Sequence, residues 1–220
     1  MYDLGIINGE VWLDGGYINT NLYVKDGRIA AISSDKLECI DNIDVSGKKI
    51  LPGFIDPHVH FSLTVAGNTS TDDFHTGSIN GLMGGVTTYI DFLDPVKKKA
   101  DYKAAFDERL ALAENSASDY AFHGCFANPT DCAEDMIKEG LKYGISSIKL
   151  FTTYSNTDRR TYDDYIRELL KLSKMYNVRI VIHVENDNLV DYGKKILIAD
   201  HEKSRDTLCE TTEVIKLAQM

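Results

Sequence analysis

Gly53-Phe54-Ile55-Asp56-Pro57-His58-Val59-His60-Phe61 reads as an apolar β-strand that ends in two histidines one residue apart. Side chains on a strand alternate with period two, so His58 and His60 are expected on one face, close enough to hold a single metal ion. Two imidazoles on a rigid element make half of a site for zinc or a similar divalent ion. The plain alternative is a pair of polar residues at a strand end. The neighbouring sequence decides between the two.

Downstream, strand, loop and helix alternate. Strand-like runs recur at 53–60, Thr87–Phe92, Ala121–Phe126, Ser147–Phe151 and Val178–His183, with helical stretches near 73–83, 101–117, 131–143 and 162–176. The last helix has Thr161 before it and Asp163 and Asp164 in its first turn, where carboxylates favour the helix dipole. Gly84-Gly85 and Gly144 stand where helix C-termini need a left-handed residue. Five βα units with buried strands predict a parallel sheet. No GxGxxG follows a strand and no GxxxxGK[ST] occurs, so a nucleotide-binding doubly wound sheet loses its main support. A TIM-type barrel needs eight strands and about 250 residues, more than follow Gly53. The sequence stops in the apolar helical run Val214–Met220 without a glycine or proline, so the expectation is a barrel cut off mid-helix.

Residues 1–52 differ in texture. Short β-type runs (Gly5–Asn8, Asn21–Val24, Arg28–Ile32) are separated by Asn8-Gly9, Asp14-Gly15 and Asp26-Gly27, which predicts a small antiparallel unit built from hairpins. The 220 residues are 43% hydrophobic and 26% charged, an ordinary globular balance. Lys+Arg 24 against Asp+Glu 34 gives a net charge of −10, which argues against nucleic acid or an anionic membrane surface as partner. The basic cluster Lys97-Lys98-Lys99 reads as a solvated loop after a strand. Cys39, Cys125, Cys132 and Cys209 form no CxxC pair, no apolar stretch could span a bilayer, and Met1-Tyr2-Asp3 opens no signal peptide. The expected location is the cytoplasm.

Chemistry in a TIM-type barrel sits at the C-terminal ends of the strands. His58 and His60 end the first strand, Lys149 lies late in the fourth within Ile148-Lys149-Leu150-Phe151, and His183 ends the fifth. All four should converge on one mouth. A buried lysine is costly unless paired or modified. Carbon dioxide added to its neutral amine gives a carbamate, whose two oxygens could bridge two metals. Taken singly, Lys149 could be an ordinary salt-bridged or snorkelling lysine and His183 a satisfied core histidine. Their joint appearance in register with HxH argues otherwise. His75, His123 and His201 read as structural or surface residues.

The segment 53–92, with its HxH, Thr71-Asp72-Asp73-Phe74 and Gly84-Gly85-Val86-Thr87-Thr88, resembles the hydantoinase and dihydropyrimidinase branch of the amidohydrolase superfamily. Lys149-Leu150-Phe151-Thr152-Thr153-Tyr154, His183-Val184-Glu185-Asn186 and Ser204-Arg205 resemble later segments of the same family, and the likeness runs over essentially the whole sequence. The resemblance implies an α/β fold. Residues 53–220 would form the first five βα units of a TIM-type (β/α)8 metal-dependent hydrolase barrel, and residues 1–52 a small, incomplete β-sandwich unit. It implies two divalent metal ions, zinc by preference: His58 and His60 hold the more buried one, Lys149 carbamylated by CO2 bridges, and His183 holds the second. A bridging hydroxide would attack a small cyclic amide or ureide such as a hydantoin or dihydropyrimidine, with Tyr154 donating to the oxyanion. A further histidine and an aspartate of the family pattern would lie on later strands, so these residues alone are expected to be inactive. The family commonly forms homotetramers. Dihydroorotases usually carry an arginine two residues after the second histidine, where this chain has Ser62, so a carboxylated substrate is disfavoured. Allantoin stays open. The alternative of another class is a non-catalytic half-barrel that serves as an assembly or interaction partner.

Overall fold

Two aspartate–glycine turns organise the N-terminal strands. In the computed structural model, which describes residues 1–65, 67–193 and 197–220, β1 (Tyr2–Leu13) and β2 (Gly16–Lys25) are joined by Asp14-Gly15, and β2 and β3 (Arg28–Ser33) by Asp26-Gly27. All four turn residues have positive φ, and Leu13 pairs with Gly16 as Lys25 does with Arg28. This is the two-residue type I′ geometry, whose twist matches that of the flanking strands.

Asn8-Gly9 behaves differently from the expected third turn. It lies inside β1, where the register with β2 slips between Ile6 and Gly9 and Asn8 takes φ 64°. The result is a bulge, held by the Asn8 N–H donating to Asn21 Oδ1 at 2.9 Å. A Cβ on Gly9 would stand 2.7 Å from Ile50 and 2.8 Å from Val45, so any other residue there has to displace those side chains. The sheet is also mixed rather than antiparallel, because β4 (Cys39–Asp44) and β5 (Lys49–Ile50) both pair with β1 in parallel. Tyr23 sets the connection that turns the chain into β4: its hydroxyl donates to Asp35 O and accepts from the Leu37 N–H. These residues belong to a compact unit, Met1–Gly53, and the rest of the chain, Phe54–Met220, forms a second one.

In the second unit the order is β6 (Phe54–Asp56), β7 (Thr64–Val65), β8 (Asn68–Thr69), α1 (Phe74–Met83), β9 (Val86–Phe92), α2 (Tyr102–Ala113), β10 (Asp119–Cys125), α3 (Ala133–Lys142), β11 (Ser147–Phe151), α4 (Asp163–Tyr176), β12 (Arg179–His183) and α5 (Thr207–Ala218). Among the described residues, strands β7 and β8 pair only with each other. The other five form one parallel sheet in the order β12-β11-β10-β9-β6. Spatial order follows chain order without reversal, so this half-barrel sheet has no switch point of the doubly wound kind. Strand ends therefore line one rim.

Local signals explain the helix boundaries. Asp73 caps α1 by accepting from the Thr76 N–H at 2.7 Å, and Thr76 returns a bond to the Asp73 backbone. Gly85 and Gly144 take φ 88° and 75° beyond α1 and α3, whereas Gly84 stays right-handed. Thr161 does not cap α4: the capping position is Tyr162, and Thr161 is buried with its N–H on Phe151 O. Phe74, Tyr89, Tyr102, Phe126, Met136 and Leu150 centre the core between helices and sheet, each fully buried apolar side chain contributing roughly 1.5–3 kcal/mol. The cysteines are unpaired, and no helix among the described residues is long and apolar enough to cross a membrane. Lys97 pairs with Asp158 and Lys99 with Asp135 in the loops after β9.

Candidate metal centre

The HxH segment departs from its expected conformation. The strand stops at Asp56 because Pro57 offers no N–H to continue the ladder, and both histidines lie on the loop beyond it. They are still neighbours, with ring centroids 5.3 Å apart. What brings them together is Phe92 at the end of β9. Its ring lies 4.6 Å from His60, nearly parallel, and 4.7 Å from His58. His123 packs on the same ring at 4.7 Å. Lys149 Nζ stands 5.8 Å from its centroid and 5.5 Å from that of Phe151.

Buried groups hold this loop in place. His123 bonds Pro57 O through Nε2 at 2.8 Å and Ser147 Oγ through Nδ1 at 2.5 Å, tying the loop to β10 and β11. One turn later Asp91 Oδ2 accepts the Phe61 N–H at 3.2 Å, and Arg109 Nη1 donates to Phe61 O at 3.0 Å. Neither Asp91 nor Arg109 meets solvent to more than 3% of its surface. Motif reading passed over Phe92, Asp91 and Arg109: α2 also carries Lys103, Asp107 and Glu108, so nothing in the sequence sets Arg109 apart as a buried partner of Asp91.

Lys149 is 7% exposed, and among the described residues no carboxylate lies within ion-pair distance of its ammonium. The salt-bridged alternative therefore does not hold. Burial holds its pKa below the usual lysine range, which raises the share of neutral amine. His58 and His60 keep an exposed edge, yet partial desolvation, reinforced by Lys149, lowers His58, and desolvation with the neighbouring His58 lowers His60 to about 4. Both shifts favour the neutral imidazole, the form that binds metal.

His183, at the end of β12, lines one cavity of about 490 Å³ with His58, Lys149, Glu185 and Arg205. Its Nε2 bonds Glu185 Oε2 at 3.0 Å and stands 3.4 Å from the Tyr154 hydroxyl. Glu185 in turn pairs with Arg205, whose guanidinium lies 5.1 Å over the Tyr154 ring. Tyr154 sits in the left-handed region at φ 68°. Asp187 anchors that turn, accepting from the Ser155 N–H, Arg160, Thr153 and the Tyr192 hydroxyl, while Tyr192 also accepts the Tyr154 N–H. Burial and Glu185 push the Tyr154 phenol up, keeping it a hydrogen-bond donor. His75, on α1, bonds Asn115 O just beyond α2, and His201 lies on the exposed 3₁₀ turn Ile198–Lys203.

Among the described residues no three His, Cys, Asp or Glu side chains gather around one point. The set is two histidines, a buried lysine without a counter-ion and a third histidine oriented by a carboxylate. That donor chemistry fits a two-metal site only when the lysine becomes an oxygen ligand, and the unpaired amine is what such a modification requires.

The amidohydrolase family model matches residues 50–218. A dihydropyrimidinase of Arabidopsis thaliana is 32% identical over 98% of this chain and 44% of its own length. A D-hydantoinase of Geobacillus stearothermophilus is 30% identical over 89% and 42%, and a dihydroorotase of Methanothermobacter thermautotrophicus 33% identical over 90% and 42%. A D-hydantoinase crystal structure superposes with a TM-score of 0.85 at 30% identity, covering 98% of this chain and 48% of that one. The D-hydantoinase of Thermus sp. gives 0.86 at 30% identity, over 98% and 49%. The chain thus spans less than half the length of these relatives, and by the match over most of its residues it belongs to the amidohydrolase family.

Proposed function

We propose that this chain carries the ligand-bearing part of a cyclic amidohydrolase that opens hydantoin or dihydropyrimidine rings. Residues 53–220 would be the first five βα units of a TIM-type barrel, with 1–52 contributing a β unit. The observation that carries the reading is Lys149: a buried amine without a counter-ion, beside Phe92 and the two histidines that pack on it. His58 and His60 would hold one divalent ion, carbamylated Lys149 would bridge, and His183 would hold the other. When bound, the metals supply the hydrolytic nucleophile and polarise the ring carbonyl. Glu185 takes His183 Nε2, so ligation there would use Nδ1, with the carboxylate orienting the ring. Tyr154 donates to the developing oxyanion from beside His183. Ser62 offers no cation for a substrate carboxylate, which favours an uncharged ring over dihydroorotate; allantoin is the competing ureide. A homotetramer is the assembly in keeping with the resemblance, and the cytoplasm the location in keeping with the N-terminal sequence.

Metal content after reconstitution with zinc and bicarbonate tests the reading. Wild type is expected to retain zinc, and Lys149→Ala to lose it, with partial recovery in a short carboxylic acid. Equal zinc in both proteins sinks the carbamate role. Exposed Phe54 and Ile55 on edge strand β6 favour a second reading, a half-barrel that acts by association. Failure of wild type to retain zinc, together with a complex in light scattering, would select it.

A further inference from the structure

The β6–β9 ladder ends at the pair Asp56–Tyr89, and beyond it a single long backbone-to-backbone bond joins the HxH loop to β9 among the described residues, from the Val59 N–H to Ile90 O at 3.4 Å. Phe61 nevertheless lies buried, its ring 5.2 Å from Phe74 and 5.1 Å from Tyr89. Its backbone N–H and C=O need partners there, because an unpaired buried peptide group costs as much as a lost hydrogen bond. Asp91 and Arg109 provide both. The same two side chains also hold Phe92: Asp91 Oδ1 accepts the Phe92 N–H at 2.5 Å, and Arg109 Nε donates to Phe92 O at 2.8 Å. One ion pair, closed at 3.4 Å between Arg109 Nη2 and Asp91 Oδ1, therefore joins all four backbone polar groups of the residue after His60 and of the residue whose ring supports both imidazoles.

We propose that the buried Asp91–Arg109 pair is a positioning device for the HxH ligands, standing in for the missing strand ladder and locking His58 and His60 against the Phe92 ring. A planar guanidinium suits this task because it donates along fixed, diverging directions, which a lysine ammonium cannot do. The inference rests on the ligand role of His58 and His60 only for its consequence; the clamp itself is a property of the metal-free protein.

Two measurements test it. In the metal-free chain, nuclear Overhauser contacts between the Phe92 ring and the His58 and His60 imidazoles report the locked geometry. Cobalt(II) titration, followed by its visible absorption, reports ligand readiness. Arg109→Met is expected to abolish the ring contacts and weaken cobalt binding tenfold or more, and Arg109→Lys to restore part of both. Ile166→Val, a core change in α4, should leave both intact. Unchanged contacts and affinity in Arg109→Met overturn the proposal, as does an equal loss in Ile166→Val. If Arg109→Met does not fold, Arg109→Lys decides: wild-type contacts overturn the clamp and diminished ones support it. Wild type that binds no cobalt while its contacts depend on Arg109 defeats the metal reading and upholds the clamp.

Discussion

The two histidine segments of the rim are held by opposite means. His58 and His60 ride on a loop fixed through its backbone, by His123 at Pro57 and by Asp91 and Arg109 at Phe61. His183 and Tyr154 are fixed through side chains, by Glu185, Arg205 and the bonds that converge on Asp187. The first set of restraints is buried and forms with the sheet itself. The second is partly open to solvent and depends on charge. A dinuclear site in this fold would then have one rigid half and one half that responds to its surroundings.

The largest expected difference lies between the two arginines. Arg109→Met leaves Asp91 buried and unpaired and frees two carbonyls, so a loss of about 3–5 kcal/mol is expected. Arg205→Met removes a pair whose side chains are 17% and 16% exposed, with water able to take over, and should cost about 1 kcal/mol. Urea unfolding of both variants checks this. Comparable losses would erase the distinction between the segments.

Asp187→Asn should fall between them. The amide keeps some acceptors but loses the charge that meets Arg160 at 3.2 Å, for a cost of about 1–3 kcal/mol. The turn holding Tyr154 at φ 68° should loosen, because a non-glycine residue persists in that region only where its surroundings impose it. Amide exchange at Ser155 rising while that at Phe61 stays slow would sharpen the contrast; equal acceleration would break it.

The pH dependence distinguishes the segments as well. Burial raises Asp91 to about 6 against the opposing pull of Arg109 and two backbone N–H groups, from 3.8 in the unfolded chain. The native state therefore binds the proton more tightly. This contribution is fully present below about pH 4 and is lost as pH rises toward 6. Subtracting the stability profile of Asp91→Asn from that of wild type should isolate a decline over that window. A flat difference would mean the carboxyl stays ionised throughout.

Element order was readable because periodicity is a local property. Apolar runs and turn residues placed five strands and four helices near their observed positions, although the first strand was read four residues too long and Thr161 does not cap α4. Long-range pairing was not readable. Nothing local distinguishes Asn8-Gly9, a bulge pressed against Ile50, from Asp14-Gly15, a true turn, and nothing in Cys39–Asp44 announces that it returns parallel to β1. Within the site, the residue types that ligate metal stand out by chemistry, whereas their supports do not. Phe92 looks like any core aromatic, and Asp91 and Arg109, 18 positions apart, become a pair only when β9 and α2 pack. A strand reading for His58 and His60 missed that Pro57 ends the ladder, yet Phe92 brings the rings together all the same.

The smallest expected effect is the most direct measure of how the halves differ. Raising ionic strength shortens the Debye length from about 10 Å at 0.1 M to about 3 Å at 1 M. The Glu185–Arg205 pair borders an open cavity and should lose part of its contribution over that range, on the order of 0.5 kcal/mol. Asp91–Arg109, with side chains 0% and 4% exposed, should lose nothing measurable. The penalty of Arg205→Met should therefore shrink in salt while that of Arg109→Met holds constant. A salt-independent Arg205 penalty would mean that its stacking over Tyr154, rather than its charge, keeps the second segment in place.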